Sequence, residues 1–289
     1  MSISSINGVP TSSLSFWIGV SFPTLGGWNG DIILPPPPPP VTSSFVTTSL
    51  MDYWDPAVIS SRTVVSGQSR SLNLSTNYTS SVYASNGSSS LGLAGPIFTT
   101  FTSGSVSTDV YYFDGVNDYA QIAPINAAAS ESGNPRVVTN LLNYTLEMWV
   151  RSSGSWVGSG NWVSMAGNSG TRARANDSSG TRWFYAPSVT TGGTGGTMAQ
   201  NVWNHFVITM ANLGANDRMT AYVNGVQVFL DTTGNYVPNY NFSQVMYGSF
   251  FGSSEFQRMY VGEIRRYNRE LTSAEVITNY SGSKARYGL

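Results

Sequence analysis

The chain has 289 residues, of which 40% are hydrophobic and 13% aromatic, whereas only 10% are charged and the net charge is −1. This charge balance gives no electrostatic case for binding nucleic acid or an anionic membrane surface. The sequence has no cysteine and a single histidine, His205, which excludes disulfides, thiolate metal sites and histidine-rich metal sites. The aromatic content favours a folded chain, with Ser, Thr, Asn and Gly supplying the polar surface.

Residues 1–34 form the first predicted segment, which contains two related stretches, SINGVPTSSLS and WIGVSFPTLGG. Each stretch is typical of a short strand pair, and neither can bury a core alone. Large apolar side chains favour docking onto another chain over the alternative of an unstructured tail. The predicted anchor contacts are Ile6, Val9, Phe16, Trp17, Ile18, Phe22 and Trp28.

Six consecutive prolines, Pro35 to Pro40, follow the anchoring segment, and residues 35–44 are predicted to be a linker. Polyproline II rises about 3.1 Å per residue, so these prolines span roughly 19 Å. Such a rod predicts that the anchor is held away from a domain formed by residues 45–289. The first residues lack a basic stretch and no apolar run reaches transmembrane length, so we expect neither an export signal nor a membrane span.

Short strand signals separated by Gly, Asn and Ser clusters run from SLMDYWDP to about residue 270. The stretch YTLEMWVR alternates, with Leu146, Met148 and Val150 on one side, which predicts a strand with one face in the core. In TAYVNGVQVF, the pair Asn224-Gly225 predicts a hairpin with a type I′ turn.

Two further segments in this region also have local signals. The stretch TRARANDSSGTRWFYA predicts a second hairpin, with its turn at residues 177–180. The glycine-rich stretch TTGGTGGT, residues 190–197, is predicted to be a mobile loop, and it lacks the Lys-Ser or Lys-Thr of a phosphate-binding loop.

One helix is predicted near the C-terminus, in LTSAEVITNY. Thr272 is the expected N-cap, Glu275 would complete a capping box, and Gly282 would end the helix. The apolar stripe expected to lie on the sandwich consists of Val276, Ile277 and Tyr280.

Five stretches occur in order along the chain: YYFDGVNDYAQI, YTLEMWVR, WNHFVITM, TAYVNGVQV and YVGEIRRYNRELTSAEVITNY. Together they resemble the laminin-G-like, concanavalin A-like jelly roll in its pentraxin-like branch. The resemblance covers roughly residues 45–289, with a poor match at 60–105, where strand pairing is not predicted. It implies an all-β fold of two antiparallel sheets, with the one short helix at the C-terminus.

The resemblance also implies classes of function. Members of the family bind glycans, proteins or lipid head groups, and some are glycoside hydrolases. Domains of this kind also occur as appendages of bacteriophage and algal-virus virions.

Glycoside hydrolysis is the first of the possible functions. Retaining glycoside hydrolysis needs two carboxyls about 5–5.5 Å apart, and the Glu-x-Asp-x-x-Glu pattern of sandwich glycosidases is absent. The remaining carboxylates within strand patterns are Glu147 and Glu263, and we expect Glu147 to be satisfied by a hydrogen bond or by Arg151. We therefore expect a protein that is not an enzyme, and we expect His205 to be a packed or hydrogen-bonded residue.

A metal site is the second possibility. Calcium requires six to eight oxygen ligands. The weak candidates are Asp114, Asn117 and Asp118 in FDGVNDY, with turn geometry and backbone capping as the favoured alternative. The acidic loop that supplies calcium in the family is missing, because YGSFFGSSEFQRMYVGE holds only Glu255 and Glu263, with Gln257 as a weak ligand. No cofactor is expected, and the sequence does not decide whether calcium is bound.

Glycan binding requires exposed aromatic rings beside polar side chains. Trp156 lies in GSGSWVGSGN, where the surrounding glycines predict an exposed ring. The alternative is that most of these aromatics pack in the core or at its rim. The candidate glycan-binding residues are Trp156, Trp162, Arg172, Arg174, Trp183 and Tyr185.

These features lead to one functional hypothesis and two alternatives. We expect a virion surface protein, assembled in the host cytoplasm, whose N-terminal segment binds other virion proteins and whose β-sandwich binds host or environmental glycans. Multivalent or oligomeric attachment is expected, since short anchors bind better together. The alternatives are a purely structural capsid or tail component and, less favoured, a glycan-cleaving enzyme.

Overall fold

The computed structural model describes most of the predicted domain and two short pieces before it. The described residues are 5–6, 9–10, 44–58, 62–65, 68–72, 81–86, 96–104, 106–122, 138–139, 143–158, 160–166, 172–175, 180–186, 189–214, 216–232, 241–242, 244–248 and 255–289. The chain divides into two compact units, Met1–Pro40 and Val41–Leu289. Within the described residues, no helix is long and apolar enough to cross a membrane.

In the first unit, Ser5–Ile6 (β1) pairs with Val9–Pro10 (β2) in a small antiparallel ladder, with Ile6 opposite Val9. This agrees with the strand pair predicted for the first stretch. The other predicted anchor residues and the proline run lie outside the described residues. They are Phe16, Trp17, Ile18, Phe22, Trp28 and residues 35–40.

The regular structure described in the second unit is mostly strands. In chain order they are Leu50–Trp54 (β3), Arg62–Val65 (β4), Gln68–Leu72 (β5), Ser81–Asn86 (β6), Ile97–Ser103 (β7), Val106–Asp114 (β8), Asp118–Ile122 (β9), Val138–Thr139 (β10), Asn143–Ser152 (β11), Asn161–Ala166 (β12), Arg172–Ala175 (β13), Thr181–Ala186 (β14), Val189–Thr197 (β15), Asn204–Asn212 (β16), Asp217–Val223 (β17), Val226–Asp231 (β18), Asn241–Phe242 (β19), Gln244–Tyr247 (β20) and Arg258–Tyr267 (β21). Helix α1, Ser273–Ser283, and a 3-10 helix, Lys284–Tyr287, end the chain.

Apart from β10 and β19, which pair with each other, these strands form two large antiparallel sheets, which confirms the predicted two-sheet sandwich. Sheet A has the order β18-β17-β16-β11-β21-β8-β7, and β3 also pairs with β21. Sheet B has the order β15-β14-β13-β12-β20-β9-β6-β5-β4. The stretch 60–105, for which the sequence predicted no pairing, contributes β4, β5 and β6 to sheet B and β7 to sheet A.

The main hydrophobic core draws on both sheets. Leu146 and Met148 of β11 are in it, together with Trp162 of β12 and Ala173 of β13, and none of these is more than 3% exposed. Burying side chains of the larger size stabilises the fold by about 1.5–3 kcal/mol each. Alternate residues of every strand entering this core must therefore occupy the outward positions of their sheet.

The prediction that one face of β11 lies in the core is confirmed for Leu146, Met148 and Val150, but the other face of the strand is buried too. Glu147 and Trp149, which alternate with the core residues, are also buried. The ring of Trp149 stacks on Tyr287 with ring centroids 4.2 Å apart, and its Nε1 donates to Ser283 Oγ at 3.0 Å. The C-terminal helical segment covers the centre of sheet A, which the period of one strand cannot reveal.

Helix α1 begins as predicted. Thr272 accepts from the backbone N–H of Glu275, and the Glu275 carboxylate accepts from the Thr272 N–H, so the capping box is complete. The prediction for Ile277 is wrong, because it is 50% exposed while Val276, Asn279 and Ser283 are the buried residues of the helix. Helical spacing brings these three residues to one side, facing the sheet.

The prediction that Gly282 ends the helix is also wrong. The helix continues to Ser283, the 3-10 helix follows, and the left-handed residue is Gly288, with φ of 77°. Gly282 is needed for close approach instead, since a Cβ there would overlap the carbonyl oxygen of Ser44.

Both predicted hairpins are present. β17 and β18 pair across Asn224 and Gly225, whose φ values of 52° and 78° are those of a type I′ turn. β13 and β14 pair with Ala175 opposite Arg182. The predicted mobile loop at 190–197 is wrong, because these residues belong to β15, which pairs with β14.

Candidate functional site

The β13–β14 hairpin brings together four of the six predicted glycan-binding residues. Arg172 is the cross-strand partner of Tyr185, and Arg174 is the partner of Trp183. Ala173 and Ala175, which alternate with the two arginines, are fully buried in the core. The four candidates therefore share the outward register positions of sheet B. Their side chains lie outside the described part of the structure.

The same outward register continues across sheet B from Arg172. Ser164 pairs with Arg172 and with Met246, and Met246 pairs with Gln121. Beyond Gln121 lie Tyr83, Arg70 and Thr63 on successive strands. We call this set the sheet B row, and it consists of Tyr185, Arg172, Ser164, Met246, Gln121, Tyr83, Arg70 and Thr63.

Sequence reasoning missed the half of the sheet B row that contains Tyr83 and Arg70. Both residues lie in the stretch 60–105, whose pairing the sequence did not predict. The available signal in the sequence was that Tyr83 and Arg70 alternate with small residues. One of these is Ala84, which follows Tyr83 and pairs with the buried Ala120. Without the partner strand, that alternation does not say which face of the sheet is outward.

The prediction that Trp156 is exposed is wrong. Its side chain is 1% exposed, and its Nε1 donates to the Met198 carbonyl oxygen at 3.1 Å. Its ring meets that of Trp162, itself fully buried, edge to face with centroids 5.5 Å apart. Neither ring is available to stack on a sugar. Gly180, from another part of the chain, lies so close that a Cβ on it would overlap the Trp156 ring.

The residues proposed as weak metal ligands have turn-capping contacts. Asp114 Oδ1 accepts from the N–H groups of Val116 and Asn117, at 2.7 and 3.3 Å. Asp118 Oδ2 accepts from the Asp114 N–H at 2.9 Å, and burial raises the pKa of Asp118 to about 6. These contacts match the turn-geometry alternative. Among the described residues, no three His, Cys, Asp or Glu side chains are placed to hold a metal ion.

Gln257, considered as a weak calcium ligand, has its amide engaged in holding two loops together. Its Oε1 accepts from the Val157 N–H at 2.7 Å, and its Nε2 donates to the Gly160 carbonyl oxygen at 3.1 Å. Glu255 accepts from Asn161 Nδ2 at 2.7 Å. These contacts join the loop before β12 to the loop before β21.

The two carboxylates considered for catalysis belong to a buried ionic network under the C-terminal segment. Arg265 donates to both Glu147 and Glu263, and Arg286 donates to Glu263 and to Asp55. Of the two alternatives expected for Glu147, hydrogen bonding is confirmed, and the arginine that contacts it is Arg265 and not Arg151. Both glutamates are 1% exposed, so neither presents a carboxyl at the surface.

His205 and Asn279 complete the surroundings of Glu147. His205 is fully buried, and its Nε2 lies 2.9 Å from Glu147 Oε1, which confirms a packed and hydrogen-bonded histidine. Burial by itself raises the pKa of Glu147, but Arg265 and His205 more than offset it and hold the pKa at about 2. This network ties the helical segment to sheet A and offers no open site for chemistry.

The family model described as the concanavalin A-like lectin/glucanases superfamily matches residues 113–277, which is more than half of the chain. Comparison with curated protein sequences finds no similar protein.

Three solved structures illustrate the likeness of the fold. Domain 4 of a GH43 extracellular arabinanase from Geobacillus stearothermophilus, in complex with arabinotriose, has 13% identity and a TM-score of 0.55, over 80% of this chain and 98% of that one. A Trypanosoma rangeli sialidase mutant displaying trans-sialidase activity has 15% identity and a TM-score of 0.57, over 86% of this chain and 35% of that one. The binding domain of Paraclostridial Mosquitocidal Protein 1 has 13% identity and a TM-score of 0.52, over 81% of this chain and 52% of that one. At these identities the likeness establishes the fold alone.

Proposed function

The chain belongs to the concanavalin A-like lectin/glucanases superfamily, and from this we propose that its β-sandwich binds carbohydrate through the outward face of sheet B. The observation that carries the proposal is the shared register of Arg172, Arg174, Trp183 and Tyr185 opposite a fully buried face. Carbohydrate sites combine aromatic surface with a few polar groups that fix orientation. The arabinanase domain, a relative in fold, was solved with arabinotriose bound.

The centre of sheet A is less accessible to a ligand than the outward face of sheet B. The middle of sheet A is covered by α1 and the 3-10 helix, through Trp149, Tyr287 and the Glu147 network. Sheet B instead places arginines and tyrosines at both ends of one outward row, with Gln121 and Ser164 between them. Guanidinium and amide groups donate to sugar hydroxyls, and the tyrosine rings offer apolar faces.

A glycan array probed with the full chain tests this proposal. The double variant R174A/W183A changes two cross-strand partners on the proposed face. We expect it to lose the signals that the unchanged chain gives. The matched control is R218A, which removes a partly exposed arginine of sheet A paired with Glu270. Retention of every signal by R174A/W183A would place the site elsewhere and overturn the proposal.

We further propose that the domain binds carbohydrate without cleaving it. The support is the burial of Glu147 and Glu263 and their engagement with Arg265. Incubation with the polysaccharides that the chain binds should produce no new reducing ends. Release of reducing ends that disappears in E147Q would instead establish hydrolysis.

We propose, finally, that the sandwich is displayed on the surface of a virus particle. The support lies in the sequence, where an apolar segment, residues 1–34, precedes a stiff linker, residues 35–44. Imaging of purified particles should find the full chain attached and a variant lacking residues 1–40 absent. Equal behaviour of the two chains would remove the anchor hypothesis. Attachment without any array signal would favour a purely structural component.

A further inference from the structure

A second row of side chains crosses the outward face of sheet A, at the end that α1 does not cover. Ile97 of β7 pairs with Tyr112 of β8, Tyr112 pairs with Tyr260 of β21, and Tyr260 pairs with Arg151 of β11. Their neighbours along each strand, such as Tyr111 and Val261, are fully buried in the core. These four residues, the sheet A row, therefore share the outward face. In order across the sheet, the row has one apolar side chain, two aromatic side chains and one cationic side chain.

Arg151 is the charged end of this row, and its contacts leave its charge uncompensated. Its guanidinium carbon lies 4.3 Å from the centre of the Phe101 ring and 5.9 Å from that of Tyr260. Its Nη1 donates to the Ser152 carbonyl oxygen at 3.1 Å. Across the part of the chain that the structure describes, no acidic side chain pairs with Arg151. Phe101 packs in turn on the edge of Trp203, which holds the stacked arrangement in place.

The two tyrosines form the middle of the row and are partly exposed. Their ring centroids are 5.1 Å apart, and Phe101 lies 5.0 Å from Tyr260. Neither phenolic hydroxyl has a hydrogen-bond partner among the described residues. Ile97, at the end of the row, is 57% exposed. The row thus offers ring surface, two free hydroxyl groups and one arginine side by side.

The direction and charge of the row indicate the kind of ligand. An extended peptide that adds to a sheet runs along an edge strand, whereas this row runs across four strands. The one arginine of this row, in a chain of net charge −1, supplies too little positive charge for binding nucleic acid. A planar guanidinium matches a carboxylate with two parallel hydrogen bonds, and aromatic rings suit the apolar face of a sugar ring.

We propose that the sheet A row is a binding site for an acidic oligosaccharide, with the carboxylate of a uronic acid held by Arg151 and neighbouring sugar rings against Tyr260 and Tyr112. This site lies on the other sheet from the face proposed above and does not depend on it. It adds selectivity for charge to the proposed carbohydrate binding.

The test compares polygalacturonate with its fully methyl-esterified form, which has the same backbone without the charge. Calorimetric titration of the full chain should show binding of the acid form and at least about tenfold weaker binding of the ester. R151Q should weaken binding of the acid form by about tenfold or more, while R151K should retain part of it because the charge remains. R218Q, at a paired arginine elsewhere on sheet A, is the control and should bind unchanged.

Thermal unfolding of each variant verifies that it is folded, and alginate and hyaluronate widen the search to other uronic acids. Failure to bind any of the three acidic polysaccharides overturns the proposal, as does equal affinity for the acid and the ester. Loss of acid binding in R174A/W183A but not in R151Q also overturns it, because that result assigns the carboxylate to sheet B.

Discussion

Asn279 of helix α1 donates from its Nδ2 to the buried Glu147 carboxylate at 2.6 Å, joining residues 132 positions apart in the chain. The same amide also donates to the Tyr267 hydroxyl at 3.0 Å, and its oxygen accepts from the Val46 N–H at 2.8 Å. One buried side chain thus joins the helix, β11, β21 and the segment that leads into β3. The C-terminal segment is therefore part of the fold of the sandwich.

Replacement of Asn279 by alanine should destabilise the protein by about 2–4 kcal/mol, because it removes the buried amide that donates to Glu147 Oε2 and accepts from the Val46 N–H, while Arg265 and His205 still contact Glu147 Oε1. Urea unfolding measures the change. The control is T278A on the exposed side of the same helix, where the hydroxyl donates only to the Ala274 carbonyl oxygen. T278A should change the free energy of unfolding by less than about 0.5 kcal/mol, and equal effects of the two substitutions would contradict this role of Asn279.

Stability should fall in acid as Glu147 is protonated. Its pKa is about 2 in the folded protein, against an ordinary value of 4.5. A carboxyl whose folded pKa is lowered contributes stability that is complete above the unfolded pKa and is lost as pH falls towards the folded one. The contribution is on the order of 3 kcal/mol. Urea unfolding from pH 7 down to pH 2 should show this decline.

The neutral variant E147Q isolates the Glu147 contribution. It should be less stable at pH 7, since Arg265 loses a charged partner, and its stability should depend less on pH between about 4.5 and 2. A pH profile parallel to that of the unchanged protein would show that Glu147 is not the group that titrates.

Trp156 should behave as a core residue. W156A should cost about 3–5 kcal/mol, because it opens a cavity beside Trp162 and removes the donor to the Met198 carbonyl oxygen. W156F should cost less, since it keeps most of the buried ring. Thermal unfolding measures both changes. Where W156F remains folded, its affinity for glycans should match that of the unchanged chain. A loss of glycan binding without a loss of stability would show that Trp156 belongs to the binding site.

Gly282 should resist replacement even though it lies within a helix. Alanine normally stabilises a helix interior by about 1 kcal/mol relative to glycine. Here the added Cβ would overlap the carbonyl oxygen of Ser44, whose N–H donates to the Gly282 carbonyl oxygen at 3.3 Å. G282A should therefore lower the melting temperature, whereas a rise would show that the two segments separate easily.

Local rules predicted the features that local chemistry determines. The Asn224-Gly225 turn and the Thr272–Glu275 capping box depend on residues within a few positions of each other. The order of several family stretches then predicted the sandwich, although each stretch alone is weak. The hairpin with Arg172 and Arg174 was likewise predictable from its turn and strand pattern.

The errors arose where distant segments decide the environment of a residue. Glycines beside Trp156 suggested exposure, but Gly180, which is distant in sequence, packs so closely on the ring that a Cβ there would overlap it. The glycines of TTGGTGGT disfavour a strand, yet β14 supplies a pairing partner for this stretch. The hydrogen-bond partners of Glu147 lie on β16, β21 and α1, and none of them is near it in sequence.

The most direct test of carbohydrate binding through sheet B is a calorimetric titration of the full chain with the glycan that gives the strongest array signal. R174A/W183A should raise the dissociation constant by at least about tenfold, a loss of roughly 1.4 kcal/mol, while R218A leaves it unchanged. Thermal unfolding should show that both variants are folded. A folded R174A/W183A chain that binds this glycan with undiminished affinity would contradict the assignment of the site to sheet B.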